Sequence, residues 1–247
     1  MLKLVLILPL LLLGCGSDDA IDPLPAPALE QPSNPIEPEP KPEPIEVEIE
    51  IGNPALVSCQ NPVARTVERV KILACPSATR TMVILNGTGA TCRFTMSIVA
   101  LKAAKKGYFV ACPESPNTGS GRDGMRALAV AQKSGAIMDY LLITGHSQGG
   151  LGSVTTAFQA QSKYPNSTID ILPMQPAFYM GEAAFRKAAP NIKGKKLVVC
   201  GRADTIVPCS GVRKGFASFK DPKTFKVISA GHLSPNREWA ALIDFFD

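Results

Sequence analysis

Three residues of this 247-residue chain have the types and order to share one reaction: a serine among glycines, a histidine near the C-terminus and an aspartate between them. The serine lies in Gly145-His146-Ser147-Gln148-Gly149-Gly150, after the apolar run Tyr140–Thr144 and before a segment of small residues. A serine on a sharp strand-to-helix turn has its hydroxyl exposed, and flanking glycines leave room where side chains would meet neighbouring backbone. A hydroxyl is a weak nucleophile without an adjacent base. The chain has only two histidines, His146 and His232. His146 directly precedes the serine, so its side chain is expected to point away from the hydroxyl and to serve packing. His232, in Ser229-Ala230-Gly231-His232-Leu233, falls in a loop after the last strand-like run and is the expected base. The acid that orients it belongs between the two in chain order. Asp204, in Gly201-Arg202-Ala203-Asp204-Thr205-Ile206-Val207-Pro208, fits that place. Its carboxylate would accept a hydrogen bond from one ring nitrogen of His232, fixing the tautomer and stabilising the imidazolium. Asp139 and Asp170 stand at the far ends of their strands, and Glu114 precedes the serine.

A tetrahedral oxyanion needs two preorganised N–H donors. One is expected from the backbone of Gln148, at a helix N-terminus whose dipole assists. The other is expected from Asn86-Gly87-Thr88-Gly89-Ala90, with Thr88 the first choice and Gly89 the alternative. That stretch is no phosphate loop, since no Gly-Lys-Ser/Thr follows it. Together these groups describe two-step acyl transfer through an acyl-enzyme. No cofactor is required, and no pair of cysteines or histidines has metal-ligand spacing.

The elements that must hold these residues alternate along the chain. Strand-like runs are Thr81–Leu85, Tyr108–Ala111, Tyr140–Thr144, Ile169–Met174, Lys196–Cys200 and Phe225–Ser229. Between or after them lie helical patterns at Arg93–Lys105, Arg122–Lys133, Gly149–Gln161, Gly181–Ala188, Gly211–Phe219 and Asn236–Phe246. Such alternation predicts βαβ units, hence an α/β fold with a mostly parallel twisted sheet and helices on both faces. Thr66–Ala74 is placed to add antiparallel edge strands. From Ser147 to Asp204 is 57 residues and from Asp204 to His232 is 28, so neither interval has room for a large lid domain.

Four motifs in order, Asn86-Gly87-Thr88-Gly89-Ala90, Asn117-Thr118-Gly119-Ser120-Gly121-Arg122, Gly145-His146-Ser147-Gln148-Gly149-Gly150 and Ala203-Asp204-Thr205-Ile206-Val207-Pro208, resemble the bacterial α/β-hydrolases. The likeness is to the branch of polyester hydrolases, bacterial cutinases and dienelactone-hydrolase-like enzymes, and it spans roughly Thr81 to Leu233. The resemblance implies the α/β-hydrolase fold and serine carboxylic ester hydrolysis without a cofactor, on an ester substrate that an open cleft would allow to be bulky or polymeric. It also implies that Phe178 is the counterpart of an aromatic residue that contacts the acyl part of the substrate; the alternative is a core phenylalanine. The chain departs from the polyester-hydrolase pattern at Gln148, commonly Met there, and at Thr88, usually aromatic. A less aromatic cleft is expected. The same triad also serves serine peptidases and thioesterases, and a non-catalytic envelope-binding lipoprotein on a hydrolase scaffold is a reading of another class.

The N-terminal part reads differently. Met1 to Gly14 has a positive residue, Lys3, and an apolar run, Leu4 to Leu13, too short to span a bilayer and suited to a signal peptide. Leu12-Leu13-Gly14-Cys15 resembles a lipobox, which implies a lipidated Cys15, a membrane anchor in the cell envelope and, from Gly16, the outer membrane; the alternative is a secreted protein. Residues 15–50 are Pro- and Glu-rich without apolar periodicity and are expected to be a disordered linker. The segment from Ser17 to Glu50 holds ten acids and one base, a net charge of −9, whereas residues 51–247 hold 24 bases and 11 acids, a net of +13. Residues 51–247 are therefore the expected catalytic domain. No aromatic-interleaved basic motif points to nucleic acid, and none is expected as a partner. Six cysteines besides Cys15 permit disulfides in an exported protein but allow 15 pairings. Cys200 and Cys209 bracket Asp204, so a bridge there would pin the acid loop; a buried Cys200 thiol is equally compatible.

Overall fold

The computed structural model describes Cys59 and residues 61–115, 119–233 and 235–247. The expected signal segment, Cys15 and the linker lie outside the described residues, as do Asn117 and Thr118. Eight strands form one sheet: β1 (Val63–Val67), β2 (Val70–Ala74), β3 (Arg80–Leu85), β4 (Tyr108–Pro113), β5 (Tyr140–His146), β6 (Thr168–Met174), β7 (Lys196–Gly201) and β8 (Lys223–Ile228). Their order is β1-β2-β4-β3-β5-β6-β7-β8. Strands β1, β2 and β4 pair antiparallel, and every pairing from β4 through β3 to β8 is parallel.

The central strands are apolar on both faces because helices cover both. In β5, Leu141 and Ile143 enter one core while Leu142 enters the other. Strand β7 does the same, with Val198 and Cys200 on one side and Leu197 and Val199 on the other. The first core is closed by helices α3 (Arg122–Lys133), α4 (Gln148–Lys163), α5 (Glu182–Ala188) and α6 (Cys209–Phe216). The second is closed by α2 (Leu101–Lys105) and α7 (Asn236–Leu242), the latter through Trp239, whose Nε1–H donates to Thr144 Oγ1 at 2.9 Å. Between β6 and β7 the chain forms a 3-10 turn (Phe178–Gly181), α5 and a second 3-10 turn (Ala189–Asn191), with no lid domain inserted.

Some elements match their sequence expectation and others differ. Thr66–Ala74 supplies antiparallel strand at the sheet edge, as expected: it holds the end of β1 and all of β2, which meet at a two-residue turn, Glu68 and Arg69, both at positive φ (48° and 61°). That is the twist a tight hairpin requires, formed here without the Asn-Gly or Asp-Gly pair that would announce it. The helix expected at Arg93–Lys105 is three pieces: α1 (Cys92–Thr95), a π-helical segment (Met96–Ala100) and α2. The last helix ends as α7 and gives way to a 3-10 turn over Ile243–Phe246. Disulfides join Cys59 to Cys75, Cys92 to Cys112, and Cys200 to Cys209, so the open choice at Cys200 falls to the bridge.

Candidate active site

Ser147 occupies the turn between β5 and α4 with φ 55° and ψ −120°, a conformation costly for any residue with a side chain. Neighbouring backbone holds it there. Its N–H donates to the Met174 carbonyl (3.0 Å), and its own carbonyl accepts from Gly150 (2.9 Å) and Ala177 (3.0 Å). The flanking glycines follow from crowding. A Cβ on Gly145 would stand 2.1 Å from the Gly149 carbonyl oxygen, and one on Gly149 would stand 2.1 Å from the Leu85 carbonyl oxygen. Backbone atoms cannot yield by that much, so both positions exclude a side chain.

Asp204 sits in the loop between β7 and α6, its side chain fully buried. Oδ1 accepts from the N–H groups of Ile206 (2.9 Å) and Val207 (2.8 Å), and Oδ2 accepts from His232 Nδ1 at 2.7 Å. The carboxylate is thereby fixed on both oxygens. His232 must carry its proton on Nδ1, which leaves Nε2 as the basic nitrogen. His232 and Ser147 line one cavity of about 360 Å³. The rival carboxylates are engaged elsewhere: Asp170 accepts from the Tyr140 hydroxyl (2.8 Å) and from Lys195 N–H (2.7 Å), and Glu114 pairs with Lys71 (3.0 Å).

Thr88 also lines the cavity. Its hydroxyl donates to Gln148 Oε1 at 2.7 Å, so the two residues expected to supply the oxyanion donors are tied to each other. Gln148 opens α4, where the first backbone N–H groups have no intrahelical acceptor. The loop bearing Thr88 is anchored by Asn86, which is buried. Its amide donates to both sulfurs of the Cys92–Cys112 bridge, at 3.4 and 3.2 Å, and its carbonyl accepts from the Thr95 hydroxyl at 3.0 Å.

Phe178 is not at the cavity. It is 5% exposed, stacks on Phe185 with ring centroids 4.1 Å apart, and belongs to the first core. Tyr179 and Met180, on the same 3-10 turn, line the cavity instead, with Ile206 and Leu233 opposite, and all four are exposed. The physical reason is rotation: a 3-10 turn advances about 120° per residue, so adjacent side chains face different surroundings. Among the described residues no Lys, Arg, Asp or Glu lines this cavity.

One polar residue here escaped the sequence reading, and another was read only in part. His146 does pack, as expected, but against His232, with ring centroids 4.6 Å apart, and it also lines the cavity with Ser147. Gln175, buried just past β6, reaches His146 Nε2 through Oε1 at 3.0 Å. A polar residue directly after an apolar strand, at the edge where α/β sheets carry their sites, was the available signal. Burial, and next the charge of His232, push the His146 pKa down to about 4, so its ring is neutral above that pH. Among the described residues no three His, Cys, Asp or Glu side chains gather as a metal site.

No family model matches the sequence, and no curated protein matches it. Solved structures do. The chain is similar to Est1E from Butyrivibrio proteoclasticus at 15% identity and a TM-score of 0.57, over 75% of this chain and 96% of that one. It is similar to an esterase from Pyrococcus furiosus at 17% identity and a TM-score of 0.53, over 75% and 90%. A monoacylglycerol lipase from Paleococcus ferrophilus gives 17% identity and a TM-score of 0.54, over 72% and 96%. Together with the sheet order, these establish the α/β-hydrolase fold.

Proposed function

We propose that the chain is a serine carboxylic ester hydrolase. The observation that carries this reading is the Asp204–His232 hydrogen bond of 2.7 Å, whose histidine shares a cavity wall with a serine on a strained strand–helix turn. In the proposed reaction His232 Nε2 takes the proton of the Ser147 hydroxyl as Oγ attacks the ester carbonyl carbon. The backbone N–H groups of Thr88 and Gln148 hold the resulting oxyanion. The intermediate collapses, the C–O bond to the leaving alcohol breaks, and His232 returns the proton to that oxygen. Water then attacks the acyl carbon, giving a proton to His232; the bond from that carbon to Ser147 Oγ breaks, His232 returns the proton to Oγ, and the acyl group departs as the acid. Asp204 stays ionised throughout and holds the ring. The lining supports neutral, largely apolar esters, because no Lys, Arg, Asp or Glu among the described residues lines the cavity and Tyr179, Met180, Ile206 and Leu233 do. The exposure of those four supports bulky substrates, polymeric ones included.

The test is hydrolysis of short- and long-chain nitrophenyl esters by the purified full chain, beside Ser147→Ala. Turnover is expected for the parent and a loss of at least about a thousandfold for the variant. A folded parent that turns over no ester and resists a fluorophosphonate probe would remove the reading in favour of a binding protein. The lipobox supports a parallel proposal, an envelope protein anchored through Cys15. Metabolic incorporation of labelled fatty acid into the parent but not into Cys15→Ser is the expected result.

A further inference from the structure

Gln175 is fully buried and holds φ at 45°, where an ordinary side chain is strained. Its amide reaches two ways. Nε2–H donates to the Gly231 carbonyl at 3.0 Å, and Oε1 faces His146 Nε2 at 3.0 Å. A carbonyl oxygen only accepts, so the Gly231 contact fixes the orientation of the amide. Oε1 is then the acceptor on the other side, and His146 carries its proton on Nε2. Space for the amide exists because residue 201 is glycine: a Cβ there would lie 2.1 Å from Gln175 Nε2 and 2.3 Å from the Ala230 carbonyl oxygen. The His146 ring lies against the His232 ring with planes inclined by 46°. Through its side chain and its backbone N–H, which donates to the Val199 carbonyl at 2.7 Å, Gln175 ties the ends of β5, β6 and β7 to the loop that presents His232.

Packing alone explains little of this. An apolar residue would fill the space without burying an amide. Strain held in place by its surroundings, beside reacting groups, points to a role in placement.

We propose that His146 and Gln175 are positioning residues that fix the ring of His232 relative to Ser147; this rests on the reading of His232 as general base. Asp204 holds one edge of the ring, the His146 ring lies tilted against it, and Gln175 clamps the backbone one residue before it. Rotation of the imidazole away from the serine is opposed from three directions. Because His146 stays neutral under ordinary conditions, it adds no charge repulsion when His232 becomes cationic.

The experiment compares full-length parent, Gln175→Met, His146→Phe and His232→Ala for kcat, KM, fluorophosphonate labelling rate and melting temperature. Both positioning variants are expected to lose 10- to 100-fold in kcat, on the order that misplacement by about 1 Å produces, with KM within about twofold and labelling slowed in parallel. If Gln175→Met does not fold, His146→Phe, which keeps a ring of similar size, carries the test. An inactive His232→Ala with unaltered kcat in the two other variants would overturn the positioning role alone. A rise in KM with kcat kept would also overturn it, making His146 a substrate contact. Retained activity in His232→Ala would remove the base assignment and the proposal with it.

Discussion

At the scale of single residues, the decisive groups are those with every polar atom committed. Asp204 accepts two backbone N–H bonds on one oxygen and His232 on the other. Asp204→Asn keeps the shape but can turn an N–H toward His232 and favour the wrong tautomer. We expect kcat to fall by about 10³ to 10⁴ with little change in KM, measured on a soluble ester. His146 gives a pH prediction. Its folded pKa of about 4 lies below the ordinary 6.5, so the unfolded chain binds the extra proton first as pH falls. The associated stability is fully present above about pH 6.5 and drains away toward pH 4, by an amount on the order of 3 kcal/mol. Denaturant midpoints for the parent should drop across that window, and those of His146→Phe should drop less. Asp204 and His232 were legible as neighbours because the chain has two histidines and, of the acids between Ser147 and His232, Asp204 is the one that closely follows the C-terminal end of a strand-like run. Tyr179 was not, because its distinction from Phe178 is one step of rotation in a turn that composition does not specify.

At the scale of elements, two bridges hold two loops. Cys92–Cys112 underlies the loop of Thr88 through Asn86, and Cys200–Cys209 spans the loop of Asp204. Replacing Cys200 and Cys209 together by serine should lower unfolding stability by about 2–3 kcal/mol, the value chain entropy gives for so short a loop. The same variant should lose more activity than stability, read as kcat at a temperature where circular dichroism shows it folded; unaltered kcat would mean the loop needs no bridge. The central strands were legible because burial on both faces makes them continuous apolar runs. Their bounds were not, since pairing rather than hydropathy ends a strand. The π-helical segment after α1 has no Gly or Pro to mark it, and the β1–β2 turn uses Glu68 and Arg69 at φ values their types seldom adopt.

At the scale of the molecule, residues 51–247 hold 13 more bases than acids, yet no Lys, Arg, Asp or Glu among the described residues lines the cavity. Long-range charge therefore contributes little to binding a neutral ester. Its kcat/KM should change less than about twofold between roughly 0.05 and 0.5 M salt, whereas association with an anionic surface should weaken over the same range. A steep salt dependence with the neutral ester would count against that division. The charge asymmetry was visible in composition; the neutral cavity was not, because it is assembled from chain segments more than a hundred residues apart.

The bond between residues 146 and 147 is the shortest link there is, and it joins the ring that braces His232 to the serine itself. A designer who wished to exchange the loop carrying His232 for another would therefore have to bring a backbone carbonyl to the Gln175 amide, or alter Gln175 as well. Loops that ignore that contact would graft cleanly by every test of folding and still yield poor catalysts, whereas the side chains of Tyr179 and Met180, which touch neither His146 nor Gln175 through a hydrogen bond, are the places where specificity can be rewritten without retuning the chemistry.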